Sequence, residues 1–163
     1  MYLQIAITNI AKYLQNAITN FLFFMKTITR RSKCPVSYTM DIFGDKWTML
    51  IMRDLLLYGK DSFGEFLCSD EKIATNILAD RLNVLLQEGF VTKHTSPANK
   101  SKFLYRPTEK AIEIIPVLSE ITLWAEKYNP DGAPADIVEP LKKNRTKALR
   151  DLKKKVEERF RAE

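Results

Sequence analysis

With 163 residues, 45% of them hydrophobic, the chain has the apolar content for one compact domain of about 100 residues plus extensions, which excludes an intrinsically disordered polypeptide. Its net charge of +6 is unevenly placed, +5 over Met1 to Lys33, −2 over Cys34 to Pro130 and +3 over Asp131 to Glu163, a bias that suits a polyanionic partner such as nucleic acid or a membrane surface. Two cysteines 34 residues apart and a single histidine, His94, exclude a zinc site of the usual spacing and a disulfide-stapled secreted domain, leaving a reducing cytoplasm as the expected setting, and no run approaches the about 18 apolar residues of a membrane span.

The first segment contains a repeat, LQIAITN at Leu3 to Asn9 and LQNAITN at Leu14 to Asn20, shifted by 11 residues, so that in a helix both copies share a face. Lys26, Arg30, Arg31 and Lys33 follow the apolar run instead of preceding it, the reverse of a secretion signal. Three readings stay open for residues 1–33: an amphipathic helix packed on a partner or on the body, a weak membrane-surface anchor, or a leader ahead of a start at Met25. No stable membrane association is expected.

From Cys34 the pattern predicts a short helix over Val36 to Phe43, then a largely buried helix from Asp45 to Tyr58 bounded by Gly44 and Gly59. DSFGEFLCSD predicts a brief extended piece and a short helix near Gly64 to Cys68, with Cys68 as a small core residue. Asp70 to Phe90 reads as one helix that opens on a polar turn, is capped by Thr75 and stops at Gly89. Leu78, Leu82, Leu85 and Leu86 gather on one stripe, and Asn76, Asp80, Asn83 and Gln87 fall opposite. This polar face is short-armed and mostly uncharged. Asn and Gln can donate and accept together, which suits base-edge reading, although the same residues serve as an ordinary solvated face.

Next, Val91 to His94 and Lys102 to Arg106 are β-prone runs around a polar loop, a hairpin signal. Lys93, Lys100, Lys102 and Arg106 make it wholly basic within a net negative core, the pattern of an arm lying along phosphates. Thr108 can cap a helix from Glu109 to Tyr128, kinked at Pro116; Asn129 to Ala135 reads as a linker, and the rest as one charged helix with Leu141, Leu149, Leu152, Val156 and Phe160 on one side.

The order helix, helix, short strand, helix, turn, helix, hairpin is that of a winged helix-turn-helix, a mainly α fold with a small β-hairpin, here with extra N- and C-terminal helices. In that geometry Thr75, Asn76, Ala79, Asp80 and Asn83 face base edges of double-stranded DNA, while Lys93, Lys100, Lys102 and Arg106 meet phosphates. Asp80 needs a cytosine amino group or a nearby cation, and Arg81 reaches either a phosphate or an internal carboxylate. The expected organisation is an extension over 1–33, a DNA-binding domain over 34–128, to which the resemblance below adds dimerisation, and a linker with a basic helix over 129–163.

CPVSYTMDIFGDKWTMLIMRDLLLYG, followed by FGEF, IATNILADRLNVLLQEGFV and YRPTEKA, resembles the HxlR-type winged-helix transcription regulators, a bacterial family near the MarR group. The likeness spans Cys34 to Tyr128 and departs at TEKA and in both extensions. It implies a cytoplasmic DNA-binding protein acting as a homodimer on inverted-repeat operators, paired through the helices after Cys34 and after Thr108. Several members sense oxidants or electrophiles through the cysteine of the CP motif, which is Cys34 here. Cys34 precedes a helix start and follows Arg30, Arg31 and Lys33, all of which favour the thiolate. No metal or cofactor is expected. Nor is catalysis, for the chain has no phosphate-binding glycine loop and no nucleophile patterned beside His94. A competing reading is a winged-helix module that binds a protein, suggested by Asp70, Glu71 and Asp80 beside the proposed groove helix.

Overall fold

The computed structural model describes residues 28–132 and 134–161; the repeat and the three readings of the N-terminal segment fall on residues 1–27, outside them. Helix α1, Pro35–Phe43, begins where Cys34 is extended and Pro35 supplies a backbone already set for the first turn. Asp45 then caps α2, Lys46–Arg53, its carboxylate accepting from the Trp47 and Thr48 backbone N–H groups at 2.9 and 3.0 Å.

The helix expected to continue to Tyr58 instead widens into a π turn over Asp54–Tyr58, closed by Gly59 at φ 71°. The widening starts at Asp54, an acidic side chain within an apolar run and only 2% exposed. Short helix α3, Phe63–Leu67, carries a capping box in which the Glu65 carboxylate accepts from the Ser62 backbone N–H.

Helix α4 is Thr75–Gln87, and here two expectations are corrected. The polar stretch from Ser69 is not helical, because Lys72 takes a left-handed φ of 53° and its N–H closes a turn on the Ser69 carbonyl. Thr75 therefore lies inside the first turn while Ala74 occupies the cap position with no side-chain bond. The stop is as expected: with Gly89 at φ 70°, Phe90 N–H reaches the Leu85 carbonyl and Gly89 N–H that of Leu86, satisfying two end carbonyls.

Strands β1, Val91–Thr95, and β2, Phe103–Pro107, form an antiparallel hairpin with Lys93 opposite Tyr105 and Thr95 opposite Phe103. Thr108 caps α5, Glu109–Ile112, and also donates to the Gly89 carbonyl, pinning the wing base to the end of α4. The kink expected at Pro116 is a break, since α6, Ile115–Glu126, starts afresh with the proline in its first turn, where a missing N–H costs nothing. The C-terminal segment is likewise two helices. After a 3₁₀ turn at Pro130–Gly132, α7, Ala135–Lys143, ends at Asn144, whose side chain accepts from Lys147 N–H and opens α8, Arg145–Arg161.

Leu55, Leu78, Leu85 and Ile115 are fully buried at the centre, where Phe43 meets the edge of Phe90 at 5.0 Å. Val156 of α8 joins this core, so the C-terminal helix packs back on the body. Cys68, expected inside, is exposed at the end of α3. That five-residue helix buries Phe66, and Cys68, its C-cap, turns outward. Among the described residues no helix is long and apolar enough to cross a membrane.

Candidate nucleic-acid interface

On α4 the 3.6-residue period puts Leu78, Leu82 and Leu85 in the core and leaves Thr75, Asn76, Asn83 and Gln87 exposed, with Ala79 and Asp80 half-buried between them. These outward residues fall at steps of three or four, so they form one face. The wing borders that face at Ala79 and Asn83. Between them lies a cleft of about 550 Å³ that brings together Ala79 and Asn83 from α4 with Lys93 and Lys102 from the wing.

The remaining wing cations are placed differently. Lys100 is exposed in the hairpin loop outside that cleft. Arg106 is half-buried at the wing base with its guanidinium over the Phe160 ring at 5.7 Å, and so lies against α8. Lys102 leans toward Glu65, with 3.9 Å between charged atoms, and Lys93 stands 4.0 Å above the Phe103 ring.

Asp80 and Arg81 resolve each other. Arg81 reaches Asp80 at 2.8 Å and Asp45 at 3.3 Å, so it meets carboxylates of its own chain. Burial pushes Asp45 upward, but hydrogen bonds from Thr48 and Trp47 and the Arg81 charge outweigh it and hold the carboxyl below its usual range. Glu71 is also paired, its carboxylate gripped by both terminal nitrogens of Arg53 at 2.6 and 3.1 Å, and that bond lowers its pKa to about 2. Two of the three acidic groups Asp70, Glu71 and Asp80, in and just before α4, are thus paired within the chain.

Phe103, Ser101 and Asn99 also line the cleft and were not singled out as site residues. Strand alternation is the missing signal: once Thr95 is known to face Phe103, that ring must share a face with Lys93 and Tyr105.

Cys34 is exposed at the N-terminus of α1, but two of its three neighbouring cations are engaged elsewhere, Arg31 with Asp41 at 2.5 Å and Arg30 over the Tyr38 ring at 5.0 Å. Farther round the molecule, α6 presents Val117, Ile121 and Trp124 as an exposed apolar stripe that Tyr128 extends just beyond its end, with Trp124 64% exposed, and α1 presents Val36 and Met40.

Residues 42–133 match the family described as HxlR-like helix-turn-helix. The HTH-type transcriptional regulator YdeP of Bacillus subtilis (strain 168) is 33% identical over 95 residues, which cover 58% of this chain and 73% of that protein. YvaP of the same organism, also an HTH-type transcriptional regulator, is 30% identical over 96 residues, 58% of this chain and 88% of that one. The solved structure of PA1607, a candidate transcription factor, superposes with a TM-score of 0.57 at 38% identity, covering 63% of this chain and 70% of its own. With the match spanning more than half its length and the winged helix-turn-helix in place, the chain belongs to the HxlR-like helix-turn-helix family of transcription regulators.

Proposed function

We propose that this protein is a sequence-specific DNA-binding transcription regulator that acts as a homodimer on an inverted-repeat operator in the cytoplasm. The observation that carries the reading is the shared cleft, where a polar helix face and two wing lysines converge. A major groove admits α4, whose Thr75, Asn76, Ala79 and Asn83 then meet base edges; Asp80, held by Arg81, stands beside them as an acceptor for a cytosine amino group. Lys93, Lys100 and Lys102 neutralise phosphates, with Arg106 at the wing base adding to the positive field. Residues 34–128 form the DNA-binding and dimerisation unit, and residues 129–163 the linker and basic helices beyond it.

Dimerisation is supported by the exposed stripes on α6 and α1, which burial against a second copy removes from water. Cys34 is the residue through which oxidants or electrophiles act, supported by its exposure at a helix N-terminus. Modification there sits beside Val36 and Met40, on the surface assigned to the dimer, and so alters the spacing of the two α4 helices.

Fluorescence anisotropy tests the reading: the protein is titrated onto the DNA upstream of its own gene and onto a scrambled duplex at two salt concentrations. Tighter binding to the native duplex that persists as salt rises is the expected result. Equal binding to both that salt erases would show only an electrostatic surface and would overturn it.

A further inference from the structure

Phe103 is a large apolar side chain that the wing leaves nearly half open to solvent. It lies near the end of a solvated hairpin, 44% exposed, while Tyr105 two residues on along the same face is buried. One face of its ring is covered by the Lys93 ammonium, 4.0 Å from the centroid. The same cleft holds Ala79, the apolar member of the outward face of α4, and is flanked by Lys102. A half-open aromatic ring with one lysine over its face and a second in the same cleft is matched to a nucleotide, whose deoxyribose is apolar and whose phosphate is anionic.

Resting on the regulator reading above, we propose that this cleft seats one strand of the duplex and that Phe103 packs against a deoxyribose while Lys93 and Lys102 take the adjoining phosphates. The placement follows from docking α4 in the major groove: a sugar-phosphate ridge borders that groove, and between helix and wing the ridge meets Phe103 before it meets any base. Lys102 exchanges its long 3.9 Å approach to Glu65 for a phosphate. Lys93, already parked on the ring, needs no reorganisation. A sugar contact carries no sequence information, so Phe103 adds affinity to every duplex alike, and being uncharged it releases no counterion.

The test titrates wild type, Phe103→Ala, Phe103→Leu and Lys102→Ala onto two duplexes, one enriched from a random library by the wild-type protein and one scrambled, each at three salt concentrations. Phe103→Ala is expected to weaken both duplexes by the same factor, about five- to tenfold for the apolar area lost, with the salt slope unchanged. Phe103→Leu retains most of the affinity, whereas Lys102→Ala lowers the slope by about one. Unaltered binding by Phe103→Ala overturns the proposal, as does a loss confined to the enriched duplex, which would make Phe103 a base reader. A slope that falls with Phe103→Ala also overturns it, since the ring would then only hold Lys93. Wild type binding neither duplex is a different failure: it sinks the regulator reading and this one with it.

Discussion

The Ser69 hydroxyl donates to the buried Asp54 carboxylate, tying the turn that precedes α4 to the π turn at the end of α2. Asp54 accepts as well from Lys60 at 3.0 Å and from Arg53 at 2.6 and 2.9 Å. A carboxylate 2% exposed within an apolar run is stable only with such donors, and each of them comes from a segment that positions α4. Ser69→Ala removes one donor and leaves that lone pair dry, so a loss of about 1–3 kcal/mol is expected in urea unfolding. Asp54→Ala should cost more, because Arg53, Lys60 and Ser69 all lose the carboxylate that joins them.

The Arg53–Glu71 bond has a pH signature. Folding lowers the Glu71 pKa from 4.5 to about 2, so the stabilisation is fully present above 4.5 and is lost as pH falls toward 2. Glu71 is partly exposed and solvent screens the pair, which limits its contribution to about 1 kcal/mol. The difference in Tm between wild type and Glu71→Gln is expected to be constant from pH 7 to pH 5 and to shrink steadily below that. A difference that stays constant to pH 3 would show that the ionised carboxylate is not what Arg53 holds.

Gly59 and Gly89 both adopt left-handed backbone, but only one is overlaid. A Cβ at Gly59 would sit 2.0 Å from the Arg159 guanidinium of α8, whereas one at Gly89 meets nothing within 4 Å. Gly89→Ala should therefore cost only the conformational strain, about 1–2 kcal/mol. Gly59→Ala should cost that much and also displace Arg159, loosening the C-terminal helix. Hydrogen exchange at the amides of α8 is the measurement that separates the two, accelerating in Gly59→Ala alone.

DNA variants divide by chemistry. Asn76→Ala is expected to weaken the enriched duplex by about 1–3 kcal/mol and leave the scrambled one alone, while Lys100→Ala with Lys102→Ala weakens both and flattens the salt dependence. Anisotropy titrations that found both variants equal to wild type would place the duplex elsewhere on the molecule.

The α6 stripe makes the last forecast. Trp124→Glu puts a charge in the middle of the proposed dimer face, and sedimentation should show a monomer at concentrations where wild type is dimeric, with secondary structure intact because Trp124 is not in the core. A Trp124→Glu protein that remained dimeric would move the interface off α6.

What the sequence determined by itself is the order of the main elements and the inward face of α4, since apolar period and glycine stops are local, whereas the Thr75 cap and the helix breaks at Pro116 and Asn144 were not read from it. The leucine stripe of α4, its stop at Gly89 and the two wing strands are all of this kind. The alternation of buried and exposed residues on α4 was legible for the same reason, and with it the outward set from Thr75 to Asn83. Tertiary structure decided what depends on a partner distant along the chain. Arg81 reached Asp45, 36 residues away, as well as its neighbour Asp80; Arg106 came to lie against α8; Cys68 turned to solvent; and the helix at Asp54 widened where Ser69 and Lys60 meet its carboxylate. Phe103 entered the cleft only through the hairpin register, which a loop of uncertain length cannot fix in advance. Local period sets which way a side chain points, but only the folded chain sets what it meets there.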